Sequence, residues 1–303
     1  MDVSIVIVNW NTRQLLLDCL ASIPVGVGEL THEIFLVDNA SSDGSVAAVR
    51  QRYPQVIVIE NERNLGFAAA NNRAFRQMRG DFALLLNTDT VLTAGAIARL
   101  QGFMASHPEA GMACGQLLNR DGSKQNSIAN FPTLLTLLIN ETLLRIFSPK
   151  RFPSKRREYQ EPVEIESGIG ACLMVRKAAM EAVGLLDERY FFFMEETDWA
   201  LSMFKAGWKS YLVPDARIYH LQGQSAGDQV GARIMFYRSR YQYFRKWHPR
   251  LFPLFGLAIL LRLAVDLLLN LLAAGLTLGL VRSINLKLRR YALLMFWHLR
   301  GCP

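Results

Sequence analysis

Aliphatic runs and amphipathic stretches take turns along the first 120 residues of the chain. Residues 3–8 (VSIVIV) are an apolar, β-branched run, which predicts a strand covered on both faces. Residues 12–22 place Leu15, Leu16, Cys19 and Leu20 at helical spacing, with Thr12 as the expected N-cap. The alternation continues with EIFLVD (33–38), a helix near 43–52, VIVIEN (56–61), a helix near 66–78 and DFALLLN (81–87). Four strands separated by three helices predict an α/β fold with a doubly wound, mostly parallel sheet. Such sheets bind ligands at the carboxyl ends of their strands, where the strand order reverses. Asn9 and Asn11, Asp38 and Asn39, and Asn87 and Asp89 all fall at those ends.

Beyond residue 110 the pattern loosens. Residues 131–147 are leucine-rich, 148–162 read as a loop, and strand-like order returns at 165–175. Helices are expected at 176–183 and 195–206, and two short strands at 209–213 and 216–220. The tail is different again. Its stretch 251–281 carries only Arg262, Asp266 and Asn270 as strongly polar residues, and its longest uncharged run is the 15 residues from Leu267 to Val281. A membrane span needs roughly 20 apolar residues, so two hydrophobic helices at a bilayer surface fit better than a crossing, with a buried pair of core helices as the alternative.

Charge sharpens the division. Residues 1–230 hold 22 Lys/Arg against 25 Asp/Glu, whereas 231–303 hold 12 against Asp266 alone. A basic, greasy tail flanked by Arg282, Lys287, Arg289, Arg290 and Arg300 suits an anionic membrane surface. Two parts are expected, 1–250 as the main body and 251–303 as membrane-associating helices. Cys19, Cys114, Cys172 and Cys302 have no paired spacing, which argues against a zinc module or disulfide scaffold. The opening MDVSIVIVNW lacks a basic n-region, so no secretory signal is expected. Without G-x-G-x-x-G or Walker A motifs, dinucleotide and P-loop chemistry are not expected, and neither is nucleic acid as a partner.

Four constellations stand out. Asp38, in DNASSDG, is a strand-end carboxylate able to accept from the imide N–H of a pyrimidine, whereas capping accounts only for Ser41, Ser42 or Asp43. Asn87-Thr88-Asp89 ends an apolar strand where a divalent cation could be held against a diphosphate; capping of a following helix is the alternative. In FFFMEETDW (191–199), three carboxylates open a helix behind an apolar wall, which can lift a carboxylate pKa toward that of a general base. Helix-dipole stabilisation would explain the acids but not the wall. Finally, His220 in HLQGQS offers an imidazole to a metal or a diphosphate.

Taken in order, VSIVIVNWN, FLVDNASSDGS, NERNLGFAAANN, LLLNTDTVL, GACLMVRK, FFFMEETDW and YHLQGQS resemble the family 2 glycosyltransferases of GT-A fold over about residues 2–250. The likeness is strongest to bacterial rhamnosyltransferases of the WbbL type. The resemblance implies an inverting transfer from a nucleotide-diphosphate sugar to a polyprenyl-diphosphate-linked saccharide at the cytoplasmic face of the bacterial inner membrane. dTDP-rhamnose is the first choice of donor; UDP-hexoses and UDP-N-acetylhexosamines follow. Asp38 would bind the base, with the backbone around Val8 and Asn9 lining it. Asn64, Gly66, Phe67 and Asn71 would shape the donor cleft. Asp89, preceded by Asn87 in the donor cleft, would hold Mg2+ or Mn2+, and His220 would touch the diphosphate or the metal. Glu196 would be the base and Glu195 its partner. Three positions depart from the family pattern: Asn87 replaces the first acid of D-x-D, Glu196 stands where Asp is usual, and Ser202 replaces an arginine. These departures keep a catalytically silent sugar-nucleotide-binding subunit in view as an alternative. A nucleotidyltransferase would need a triphosphate loop that NWNTRQ does not supply.

Overall fold

The computed structural model describes residues 1–139, 141–149, 151–154, 157–221 and 229–301. By its internal packing the chain falls into two units, Met1–Phe131 with Arg145–Ser225, and Pro132–Leu144 with Ala226–Pro303.

The first unit opens with β1 (Val3–Asn9), α1 (Arg13–Val27), β2 (His32–Asp38), α2 (Ser45–Arg52), β3 (Ile57–Glu60), α3 (Phe67–Phe75) and β4 (Phe82–Leu86). These match the expected alternation, and the helices differ mainly at their ends. Helix α1 runs past Pro24 to Val27, because buried Ile23 and Val27 hold the last turn against the core. Thr12 does not cap it; the Arg13 N–H donates instead to the Asp43 carboxylate at 2.8 Å. Next come β5 (Thr90–Leu92), α4 (Ala96–Ser106), β6 (Ala110–Leu118) and β7 (Ile128–Ala129). Asp89 is thus followed by a strand, so helix capping does not explain the Asn87-Thr88-Asp89 turn.

The remainder of this unit holds β8 (Val163–Ile165), β9 (Ser167–Gly168), β10 (Cys172–Arg176), α7 (Lys177–Val183), α8 (Glu195–Lys205) and β11 (Lys209–His220). The expected strand at 165–175 is three short ones. The two strands expected at 209–220 are one, whose pairing with β6 shifts register between Val213 and Arg217 and so absorbs Pro214.

The main sheet has the order β3-β2-β1-β4-β10-β6-β11-β5, with β8 added on β11. Strands β3, β2, β1 and β4 are mutually parallel, and β10 enters antiparallel between β4 and β6. Chain order reverses at β1, which lies between β2 and β4. The core packs Ile5, Ile7, Leu36 and Leu84 of the sheet against Leu16, Leu20 and Ile23 of α1 and Ile97, Leu100 and Met104 of α4. Cys19, Cys114 and Cys172 are buried there and unbridged.

The second unit contains α5 (Leu134–Leu138), α9 (Gln229–Trp247), α10 (Phe252–Leu276) and α11 (Arg282–Leu299); α6 (Glu141–Phe147) straddles the division. Helix α10 buries Phe255, Ala258, Ile259 and Leu263, with Phe255 stacked on Phe244 of α9 at 3.7 Å between ring centres. Its opposite face exposes Leu254, Leu257, Leu261, Val265, Leu268 and Leu272. The segment Pro249–Leu276 is long and apolar enough to cross a membrane, with mean hydropathy 2.1.

Candidate active site

The site is built at the rim where β1, β2 and β4 end. Parallel pairing sets Asn9 opposite Asp38, and their side chains meet: Asn9 Nδ2 donates to Asp38 Oδ1 at 2.7 Å and to Ser41 Oγ at 2.9 Å. The other Asp38 oxygen accepts from the Ser41 N–H at 2.8 Å. Asp38 is therefore an organiser of its own loop, and each oxygen keeps one further acceptor position. The Asn9 carbonyl accepts from the Asn39 N–H, and the half-buried Val8 precedes it on β1. The Thr12 hydroxyl, not needed as a cap, donates to Asn9 Oδ1 and lies 2.9 Å from the Thr88 hydroxyl, joining the first strand end to the fourth.

Asn39 links this loop to the next. Its Nδ2 donates to the Gly66 carbonyl at 3.2 Å, and Asn64 Oδ1 accepts from the Gly66 N–H at 2.9 Å. Gly66 has φ +83°, and a Cβ there would lie 2.8 Å from Phe191 Cδ2, 2.9 Å from Phe191 Cα and closer still to the Phe191 carbonyl oxygen. That oxygen accepts from the Phe67 N–H at 2.7 Å. The half-buried Phe67 ring meets Phe192 edge-on. Asn71 is fully buried, donates to the Phe67 carbonyl and leaves its Oδ1 without a partner; it shapes the cleft from beneath. The NLGF segment and the FFF segment, 125 residues apart in sequence at Gly66 and Phe191, thus form one wall.

The backbone then twists sharply. Phe193 and Met194 both have positive φ, 69° and 73°, a strained state for residues with side chains. Helix α8 starts immediately after, carrying Glu195, Glu196 and Asp198 in its first turn. The three carboxylates have different surroundings. Asp198 accepts from the hydroxyl of the buried Tyr190 at 3.0 Å and is structural. Glu195 is 4% exposed and Glu196 half-buried, and each has one buried carboxylate oxygen without a hydrogen-bond partner. Burial lifts Glu196 to about 7, against the lowering pull of the N–H groups of Glu196 and Thr197. Burial, and then the charge of Glu196, push Glu195 well above the usual carboxylate range. Desolvation outweighs the helix N-terminus here, so dipole stabilisation does not account for this pair.

The bend before β10 connects these acids to the strand-end turn. Atoms Cβ, Cγ and Cδ of Glu196 lie 3.8–3.9 Å from where a Gly170 Cβ would sit. The next carbonyl, of Ala171, accepts from the Asn87 N–H at 2.9 Å. Glu196 and the Asn87-Thr88-Asp89 turn therefore border the same two-residue bend on one rim of the sheet.

Asp89 is 2% exposed, and its carbonyl accepts from the Leu221 N–H. Strand β11 pairs antiparallel with β5 and delivers His220, whose Nε2 lies 3.4 Å from Asp89 Oδ1. Gln125, which the sequence did not flag, fixes the imidazole. Its Nε2 donates to Asn119 Oδ1 at 3.0 Å and to the His220 carbonyl at 3.1 Å, leaving Oε1 as the acceptor 2.6 Å from His220 Nδ1. That contact fixes the ring with its Nε2 edge toward the Asp89 carboxylate. An imidazole nitrogen and a carboxylate held side by side, with the outer ring nitrogen anchored, are donor types that fit Mg2+ or Mn2+ shared with substrate phosphates. Among the described residues, no cluster of three or more His, Cys, Asp and Glu side chains is present. The Gln222–Ser225 stretch after His220 lies outside the described residues.

The chain is 33% identical over 231 residues, 71% of its length and 75% of the other, to the N-acetylglucosaminyl-diphospho-decaprenol L-rhamnosyltransferase of Mycobacterium tuberculosis. It is 28% identical over 266 residues to an N-acetylglucosaminyltransferase of Bradyrhizobium diazoefficiens, covering 84% of this chain and 51% of that one. In structure it is similar to a mannosyltransferase from Pyrobaculum calidifontis in complex with GDP-Man and Mn2+, with TM-score 0.59 at 17% identity over 97% of this chain and 87% of that chain. It also resembles GalNAc-T7 with UDP, GalNAc and Mn2+, with TM-score 0.58 at 15% identity over 82% and 48% of the two chains. These likenesses fix the fold as GT-A. A sequence profile of glycosyl transferase family 2 matches residues 4–184, so the chain belongs to that family.

Proposed function

We propose that the chain is an inverting rhamnosyltransferase that moves the sugar of dTDP-rhamnose to a polyprenyl-diphosphate-linked saccharide at the cytoplasmic face of a bacterial inner membrane. The observation that carries the reading is the shared bend: Glu196 rests on Gly170 while Asn87, two residues before Asp89, is bonded to Ala171. A proton-accepting acid and a cation-binding acid thereby border one rim, as displacement at an anomeric carbon needs. The similarity to an enzyme named for transfer of L-rhamnose to a decaprenol-linked sugar supports the choice of donor and acceptor.

In this mechanism Asp38 and its loop receive the base of the donor, and the Gly66–Phe67 and Phe191–Phe192 wall encloses the sugar nucleotide. Glu196 takes the proton of the acceptor hydroxyl. The oxygen so activated attacks the anomeric carbon from the face opposite the diphosphate; the new C–O bond forms as the bond to the diphosphate oxygen breaks. Glu195 stays protonated beside Glu196 and adds no second negative charge. Asp89 and His220 would hold Mg2+ or Mn2+, which when bound supplies positive charge to the departing diphosphate. Helix α10, with leucines and Val265 along one face and Arg262, Asp266 and Asn270 at four-residue spacing on the other, would lie in the membrane interface rather than cross it.

The test is a donor panel (dTDP-rhamnose, UDP-glucose and UDP-N-acetylglucosamine), each with polyprenyl-diphosphate-linked N-acetylglucosamine and with or without Mn2+ or Mg2+. Nucleoside diphosphate release is the readout. Turnover with dTDP-rhamnose is expected to exceed the others and to need the cation, and Asp89→Ala to weaken cation-dependent donor binding. Faster turnover with a UDP-sugar would displace the rhamnose assignment. Absence of any transfer or donor hydrolysis would leave a silent sugar-nucleotide-binding subunit.

A further inference from the structure

The helical unit holds a cavity of about 190 Å³ that plays no part in the chemistry above. Three helices line it with arginines: Arg233 and Arg240 from α9, Arg262 from α10 and Arg290 from α11. The hydroxyl-bearing Tyr237 and Tyr291 join them, and Asp266 is the one carboxylate of the lining among the described residues. Arg262 donates to the Leu137 carbonyl at 2.8 Å, which holds its guanidinium at the cavity. Arg240 is the most telling of the four. Its Nε is buried and has no hydrogen-bond partner. Burial lowers its pKa, and the charge of Arg262 lowers it further against the pull of Tyr237.

Arg233 and Arg262 are exposed at the mouth, whereas Arg240 lies deeper, over the rings of Phe236 and Phe244 at 5.8 and 5.7 Å, so the described lining carries an excess of positive charge that an anion would balance. Planar guanidinium forks match phosphate oxygens two at a time, so several converging forks select a group with many such oxygens. The same α10 that supplies Arg262 exposes Leu254, Leu257, Leu261, Val265 and Leu268 on its other side. A phosphate carried on an apolar chain satisfies both features, whereas a free phosphate satisfies one.

We infer that this cavity binds the diphosphate of the polyprenyl-linked acceptor, so that the helical unit is an acceptor-binding module. This rests on reading the chain as a transferase with a lipid-linked acceptor. The test uses the full-length protein and two sets of phosphatidylcholine vesicles of equal charge, one containing decaprenyl diphosphate and the other decaprenol with phosphatidylglycerol. The protein is expected to bind the first set at least tenfold more tightly. The double variant R233Q/R290Q, at the more open side, should remove that preference and raise the acceptor KM at least tenfold with little change in the donor KM; R240K, which keeps the charge and loses the fork, should do so in part.

Equal binding to both vesicle sets would show a general anionic-lipid surface and overturn the assignment. So would a preference that survives in both variants. The two readings also fail separately. Diphosphate-selective, arginine-dependent binding without transfer to any polyprenyl-linked sugar would remove the proposed activity and leave the cavity's ligand. Transfer with an unaltered acceptor KM in the variants would do the reverse.

Discussion

Replacing Glu196 by Gln keeps the shape of the side chain and removes its ability to accept a proton. In the structure that ability is tuned by burial against the Gly170 bend, which sets the carboxyl at about 7. A base is active when deprotonated, so the rate should rise with pH. A group titrating near 7 goes from roughly one-tenth ionised at pH 6 to roughly nine-tenths at pH 8, so turnover should climb about tenfold over that interval. An ordinary glutamate, ionised above about pH 5, would give a nearly flat profile. General-base assistance contributes about 10²–10⁴ in rate, or about 2.7–5.4 kcal/mol of barrier. Glu196→Gln should therefore lose at least a hundredfold in kcat and lose the pH-dependent limb, while donor affinity by calorimetry stays close to wild type. The assay is nucleoside diphosphate release at saturating donor, acceptor and Mn2+, from pH 5.5 to 8.5. A flat wild-type profile, or a variant that retains both its rate and its limb, would refute the role of Glu196.

Gly66→Ala should destabilise the first unit: the backbone at φ +83°, ψ −178° suits glycine alone, costing another residue about 1–3 kcal/mol, and the clash with Phe191 adds about 1–3 more. Urea denaturation would read this, and a midpoint equal to wild type would remove the pinning contact from the account. Glu195 and Glu196 hold protons in the folded state that an unfolded chain releases above pH 4.5, so stability should fall as pH rises from about 4.5 through 7. Glu195→Gln should flatten that fall and raise the denaturation midpoint at pH 8 more than at pH 5; the opposite ordering would place the raised pKa elsewhere. Gln125→Leu frees the His220 ring and should raise the half-saturating Mn2+ concentration by about 10–100-fold, with Gln125→Glu recovering part of it. An unchanged Mn2+ titration would detach His220 from the cation. Leu261→Glu with Val265→Glu puts two charges on the exposed face of α10 and should move the full chain from the membrane to the soluble fraction, as followed by vesicle flotation. Retention of the double variant on the vesicles would remove that face from membrane binding.

The order of strands and helices through β4 was legible because each strand there is a dense apolar run and each turn is marked by Asn, Asp, Ser or Gly. Strand β6 escaped notice for the opposite reason. Its sequence AGMACGQLL has two glycines and no β-branched residue, yet it lies between β10 and β11 in the middle of the sheet. Gly115 is needed there because a Cβ would run into the Ala216 backbone, so packing selected against the residues that announce a strand. The break read at Pro214 was a bulge in one long strand. At the site, the acids and His220 were visible as residue types at element ends, but their partners were not. Gln125 sits in a polar stretch, SKQNS, with no periodicity, and only the fold brings it to His220 from 95 positions away. Gly170 likewise reads as an ordinary turn glycine until Glu196 is seen against it.

The same geometry gives many of the motif residues a structural task. Asn9, Thr12, Asn39, Ser41 and Asn64 spend hydrogen-bonding groups on one another or on loop backbone, and so hold three strand-end loops at fixed spacing. Such a frame matters because α8 starts from two consecutive strained residues, at about 1–3 kcal/mol each, and the strain persists only where the surroundings over-determine it. Those surroundings are identifiable. Phe191 is locked to Phe67 by a backbone hydrogen bond, Met194 is buried, and Tyr190 and Trp199 anchor the segment on either side through Asp198 and the Gly184 carbonyl. The strained turn points the first residues of α8 back toward the sheet rim instead of into solvent, and the partial burial that follows is what raises the Glu196 pKa. Backbone strain, the Gly66 contact and proton affinity are thus consequences of one constraint, the docking of residues 191–194 on the 64–67 loop, and loosening that contact should lower the base's pKa and its rate together.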